Sequence, residues 1–389
     1  MNIIQLIQLS LPLFGKRKED YLFLTQYCNK KELQKIKKIL KFNDYQLTKQ
    51  AYPITIIPNT SIPQLHKRRI TTEYADFISS VNKHIKQKFL VEMFKDFATK
   101  APSIIPALIA PNILGLEAIK RACALELFAK ERAHILLLGD PGTGKTDIIR
   151  ATSELHPIGT FGLGSGTSGV GLSVSVVGKE PHKGLLPLAD EGICAVDELN
   201  LMEEKDRAAL YNAMEKGFVS YSKKDINVQF DARVRVIATA NPKGDCFVGK
   251  SIDILKKQIP FDPALLTRFH LVFMIRKPNL DRFEDISRHI VRGKKTTLTK
   301  LDKEFIQEYV THAEQLDVAM PQEFEEKIAK WSRLIKEKEK EFLVEISPRT
   351  IVGVIRLAQA NARMSLRTEV TGEDLKTSMD LMQLSFEVS

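Results

Sequence analysis

The chain has 389 residues, 43% of them hydrophobic, enough apolar material for two or three domains with cores of their own. Its four cysteines, Cys28, Cys123, Cys194 and Cys246, include no CxxC pair, which argues against a zinc ribbon or a disulfide framework and for a reducing compartment. Residues 1–100 hold 18 Lys and Arg against 8 Asp and Glu and so carry the whole formal net charge of +10; this suits a polyanionic partner such as nucleic acid, and equally a lysine-rich solvated surface.

No apolar stretch is long enough to span a bilayer, and no membrane partner is expected. The apolar opening Met1–Phe14 precedes its basic cluster Lys16-Arg17-Lys18, the reverse of a signal peptide, and reads as a short packing helix. Over Lys30–Phe42, Leu33, Ile36, Ile39 and Leu40 form an apolar stripe against Lys31, Lys35, Lys38 and Lys41, the pattern of a basic amphipathic helix. Tyr52 to Pro63 suits strands or loop, Lys67-Arg68-Arg69 adds a basic cluster, and Val81 to Lys100 turns helical again. Pro102, Pro106 and Pro111 mark a linker, and Leu114–Lys130 reads as a helix.

Between 134 and about 278, apolar runs His134–Leu138, Gly192–Val196, Arg233–Ala240 and His270–Ile275 alternate with helical patterns, the signature of an α/β fold with a parallel sheet sandwiched by helices. From Asp281 onward the chain reads as a separate helical bundle over Asp302–Gln315, Pro321–Glu341, Pro348–Met364 and Gly372–Phe386. Three domains follow: a basic, mainly helical N-terminal domain at 1–100, an α/β core at 101–278 and a helical lid at 279–389.

The residues Gly139, Asp140, Pro141, Gly142, Thr143, Gly144, Lys145 and Thr146 come directly after an apolar strand. A glycine-rich turn ending in Lys-Thr lets backbone N–H groups fold around a triphosphate at a helix N-terminus. Lys145 would reach the β- and γ-phosphates of ATP, and the Thr146 hydroxyl would hold Mg²⁺. The run Gly192–Glu198 ends in two acids, Asp197 suited to the metal and Glu198 to polarising the attacking water. Asn241 closes another buried strand, where an amide can orient that water. Arg268 lies at a helix end before His270–Ile275, and Arg349 in the first helical turn after Ser347-Pro348. Guanidinium groups clamp charge on a transferring phosphoryl group, although taken singly each arginine reads as a surface residue rather than a catalytic one.

The ordered set resembles the ATPase module of the minichromosome maintenance (MCM) helicases, members of the AAA+ class, from Ala110-Pro111-Asn112-Ile113-Leu114-Gly115 through Arg363-Met364. Gly139–Thr146 is similar to the family's P-loop, with Gly144 where most members have Ala. The stretch Leu188–Glu198 with Asp206-Arg207 resembles its Walker B segment, with Asn200-Leu201 replacing the usual Asp-Lys. Leu265–Phe273 resembles its arginine-finger segment, with His270 in place of the usual Asp.

The resemblance implies an ATP-dependent DNA helicase or translocase of DNA replication, a homo-hexameric ring acting on single-stranded and forked DNA. Asn241 would be sensor 1; Arg268, the arginine finger, and Arg349, the sensor-2 arginine, would both act on a neighbouring subunit's ATP. Phe218–Val228 resembles a hairpin that projects into the ring's channel, with Lys223 at its tip and Lys224 beside it. Gly162–Gly184 resembles a second channel hairpin, with Lys179 and Lys183 as phosphate-facing candidates. Loader or replication-initiation proteins are the further partners implied, in an intracellular setting (the nucleoid, in a prokaryote or archaeon). The family's N-terminal region is usually more than twice as long and carries a zinc site, so a shortened N-terminal region without zinc is expected here, and no winged-helix domain. Two other readings stay open on the motifs: a MoxR- or chelatase-like AAA+ protein remodeller, and an MCM-derived accessory subunit that binds DNA without unwinding it.

Overall fold

The computed structural model describes residues 45–49, 54–58, 91–177, 180–223, 226–292 and 298–387. The chain separates into two compact units, Met1–Thr99 and Lys100–Ser389. In the first, β1 (Tyr45–Lys49) and β2 (Ile54–Pro58) pair antiparallel, with Leu47 opposite Ile56, and residues 91–98 are helical. The helices expected over Met1–Phe14 and Lys30–Phe42, and the cluster Lys67-Arg68-Arg69, lie outside the described residues.

The second unit opens with α1 (Ala101–Leu108), which corrects the reading of a linker at Pro102 and Pro106. Pro102 occupies the first turn, where a missing N–H costs nothing, and Pro106 removes one bond from a short helix whose Ala101 and Ile105 are fully buried. Then follow α2 (Glu117–Phe128), β3 (Ile135–Gly139), α3 (Lys145–Leu155), β4 (Gly159–Leu163) and the short α4 (Gly169–Leu172). Next come β5 (Val174–Val177), β6 (Glu180–Lys183), α5 (Leu185–Leu188), β7 (Ile193–Asp197), α6 (Glu204–Lys216), β8 (Phe218–Lys223) and β9 (Ile226–Asp231). The core closes with β10 (Arg235–Ala240), α7 (Ile252–Lys257), α8 (Pro263–Leu266) and β11 (Leu271–Ile275).

Strands β11, β3, β10, β7 and β4 form, in that order, one parallel sheet. In four of them every side chain is buried, as continuous apolar runs require when both faces are covered. Those four coincide with the runs read in the sequence. The fifth, β4, was hidden because Gly-Thr-Phe-Gly-Leu is broken by glycine and sits half-exposed at the sheet edge.

After β11 the chain is helical: α9 (Leu280–Val291), α10 (Lys300–Glu314), α11 (Glu325–Glu337), α12 (Pro348–Met364) and α13 (Gly372–Phe386). These helices belong to the same compact unit as the sheet. Buried Arg363 on α12 donates from Nη1 to the Phe128 carbonyl at the end of α2 (2.6 Å). Among the described residues no helix is long and apolar enough to cross a membrane.

Candidate active site

The glycine-rich loop leaves the C-terminal end of β3, and α3 begins at Lys145. Gly142 (φ 76°) and Gly144 (φ 82°) both occupy left-handed backbone that other residues avoid, and a Cβ on Gly142 would meet nothing within 4 Å. The buried Lys145 ammonium donates to the loop's own carbonyls, Gly139 O at 2.8 Å and Asp140 O at 2.7 Å. Burial pulls its pKa down to about 8, against the opposing pull of Asp197, Asp140 and Glu198. A buried ammonium bonded to neutral carbonyls, beside an open glycine turn and a helix N-terminus, fits an incoming polyphosphate. The Asp140 carboxylate faces elsewhere: it accepts from Phe247 N (2.8 Å) and Lys277 N (2.9 Å), pinning the loop to the segments after β10 and β11.

Asp197 is the last residue of β7, buried, and Glu198 follows in left-handed backbone at φ 52°. Strand β10 lies between β3 and β7, so the residues that leave these three C-terminal ends converge. The register Ala238 to Val196 carries Thr239 alongside Asp197. The Thr239 hydroxyl donates to Asp197 Oδ1 and accepts from Glu198 N at 2.9 Å, holding both acids at once. Asn241 leaves β10 there, and its N–H donates to the Asn200 side-chain oxygen at 3.0 Å. Thr239 and Asn200 went unassigned in the sequence reading; a hydroxyl inside the apolar run Val234–Ala240 was the available signal.

The two arginines lie at the opposite edge of the sheet. Arg268 precedes β11, whose first residue pairs with Ile135 at the start of β3, whereas the P-loop follows the end of β3. Five residues of strand separate the edges by roughly 15 Å. Arg268 Nη2 donates to Glu215 Oε2 on α6 at 2.9 Å, and its guanidinium stacks 5.0 Å from the Tyr211 ring centroid. Arg349 Nη1 donates to Thr267 O at 3.2 Å, and Nη2 lies 3.9 Å from Glu215 Oε1. The fold thus brings Arg268 and Arg349 together on one patch, away from their own chain's P-loop.

A family model described as the MCM P-loop domain matches residues 90–294, and one described as the MCM AAA-lid domain matches residues 304–386. The chain belongs to the MCM family. It is 30% identical over 302 residues to the minichromosome maintenance protein MCM of Saccharolobus solfataricus, covering 72% of this chain and 44% of that one. It is 31% identical over 305 residues to the DNA replication licensing factor MCM7 of Arabidopsis thaliana (71% and 42%), and 28% over 381 residues to the licensing factor Mcm2 of Drosophila melanogaster (87% and 41%). The chain spans less than half the length of these MCM relatives.

The departures from the usual MCM pattern have local physical accounts. Asn200 accepts from Asn241 N without adding a third negative charge beside Asp197 and Glu198. His270 is buried and neutral, its Nδ1 accepting from His134 N at 3.0 Å. Gly144 sits in left-handed backbone with Ile113 atoms 3.0 Å from where a Cβ would stand, so this MCM chain has little room there for alanine.

Antiparallel hairpins stand within both segments, as β5–β6 and β8–β9. They adjoin: exposed Lys183 on β6 places Nζ 5.6 Å from the Phe230 ring on β9. Lys223 ends β8, paired with Ile226 at the turn, while Lys179 and Lys224 lie outside the described residues.

Proposed function

We propose that this chain is an ATP-driven DNA translocase of MCM type, a helicase motor of DNA replication that works as a closed ring with each ATP site shared between two subunits. The separation of the P-loop from Arg268 and Arg349 by the height of the sheet carries the reading, because no single chain can place its own arginines on its own γ-phosphate. A head-to-tail contact between copies supplies them, and repetition of that contact closes into a ring, a homo-hexamer by family precedent. Relatives named as replication licensing factors support the process assigned. The protein-remodeller reading gains no observation of its own.

In this assignment the loop amides and Lys145 bind the triphosphate. Thr146 and Asp197 would hold Mg²⁺, which when bound neutralises charge on the phosphate oxygens. Glu198, held by Thr239, takes the proton of the attacking water that Asn241 orients. Arg268 and Arg349 reach across from the neighbour to stabilise charge on the transferring γ-phosphoryl group. Lys223, with Lys183 and the other hairpin lysines, contacts phosphates without reading bases, which suits movement along single-stranded or forked DNA.

Mixing inactive subunits tests the shared site. Lys145→Ala and Arg268→Ala proteins, each without ATPase activity, should recover activity together, since some interfaces regain both intact halves. Absence of recovery in mixed assemblies of normal size would overturn the reading.

A further inference from the structure

Helix α6 joins three parts of the proposed motor. It starts six residues beyond the Glu198 acid, ends at Gly217 and runs directly into the β8–β9 hairpin with Lys223 at its turn. Within its last two turns, Tyr211 and Glu215, four residues apart and so on one helical face, meet the two arginines. A single carboxylate sits between both guanidinium groups, one on Oε2 and the other nearer Oε1. Without it, two like charges would share one patch and push each other apart. The contact is also releasable. The Glu215 side chain is 47% exposed and that of Arg349 42%, and exposed ion pairs are weak. Arg268 is less exposed (20%), and its Nε is buried without a hydrogen-bond partner.

We propose that Glu215 is a positioning residue. It holds Arg268 and Arg349 side by side on the face offered to the next subunit and yields them to that subunit's γ-phosphate. The exchange releases the C-terminal turn of α6, so that the nucleotide bound next door is felt at the root of this chain's own hairpin. Phosphate and carboxylate compete for the same guanidinium donors, and the triphosphate, carrying more charge, prevails while it is intact. This inference rests on the shared-site reading above and adds to it the group that aims the arginines.

The test uses full-length protein. Glu215→Gln keeps the shape and removes the charge; it should lower the ATPase kcat about tenfold with little change in KM, a fraction of what an arginine finger supplies. Its unfolding temperature and assembly size should match those of the unaltered protein. The mixing pattern then separates aiming from mere structure. Glu215→Ala mixed with Lys145→Ala should exceed the mean of the two parents, because the defects lie on opposite faces. Glu215→Ala mixed with Arg268→Ala should not, because both lie on one face. Full kcat in Glu215→Gln, or recovery in the second mixture, overturns the proposal. With the Lys145→Ala and Arg268→Ala control recovering, such a result sinks this inference alone; a control that fails to recover sinks the shared-site reading, and this inference with it.

Discussion

Glu198 holds a backbone conformation that costs energy for any residue with a Cβ, and it does so between a buried strand and a turn. Strain of this kind persists where surrounding contacts over-determine it. Here they are the Thr239 hydroxyl on its N–H, the Leu201 N–H on its carbonyl at 2.9 Å, and Gly164, where a Cβ would come within 2.3 Å of that carbonyl. A carboxylate fixed in this way is suited to base catalysis and unnecessary for binding. Glu198→Gln should therefore keep ATP affinity within about threefold while kcat falls at least about a hundredfold, the usual worth of a positioned base. Equilibrium binding and single-turnover hydrolysis measure the two halves; turnover at the unaltered rate would remove Glu198 from the role. At this scale the sequence was informative where function is contiguous. Gly139–Thr146 and Asp197-Glu198 could be read because a loop and a strand end carry them whole. Thr239 touches both acids from 41 and 42 residues away, and Glu215 meets Arg268 across 53, so only strand register and helix packing reveal them.

The N-terminal edge of the sheet has a device of its own. His134 and His270 stand one residue before β3 and β11 and bond reciprocally: His270 N donates to His134 O at 2.9 Å, and His134 N to His270 Nδ1 at 3.0 Å. The His134 Nδ1 accepts from Val236 N on β10 at 3.1 Å, and its Nε2 meets the Met214 carbonyl on α6 at 3.3 Å. Both rings must stay neutral to accept these bonds. Burial, then the nearby Arg356, Arg349 and Arg132, holds the His270 pKa down to about 3; burial and the His270 ring hold His134 well below its ordinary value. In the unfolded chain both titrate near 6.5. Unfolding thus takes up protons between pH 6.5 and about 3, so stability is full above that window and falls as pH drops through it. At pH 5 His270 alone should account for about 2 kcal/mol. Denaturant unfolding at pH 7.5 and pH 5 should show a smaller loss for His270→Asn, whose amide oxygen can accept the same N–H; an equal loss would exclude the histidine. The elements themselves were legible where periodicity was unbroken, as at Pro348–Met364 and Gly372–Phe386, whose limits match. They were missed where composition misleads, in glycine-broken β4 and in the proline-bearing α1.

For the whole molecule, two basic features compete to be the surface that would meet the DNA of the proposed function. The first is residues 1–100, which hold all the net positive charge; the second is the hairpin pair, with Lys223 at one turn and Lys183 on the adjoining strand. They make different demands on salt. Each phosphate neutralised on a single strand releases counterion and steepens the fall of log K with log salt by about 0.7. A tip lysine therefore changes the slope by less than one, whereas a basic arm changes it by several. Binding of single-stranded oligonucleotide across a salt series should give a steep slope for the full chain. Lys223→Ala should lower it by about 0.7. Removal of residues 1–99, at the boundary between the two compact units, should flatten it by several times as much. If the shortened protein keeps the full slope, the N-terminal charge faces solvent and the hairpins carry the DNA; if Lys223→Ala leaves the slope untouched, the hairpin loses its assigned partner. A motor needs both terms, a broad attraction that keeps the strand near and a small contact that can be made and broken at each step. A surface of many phosphate contacts would hold DNA too firmly to move, and a single lysine would let it go.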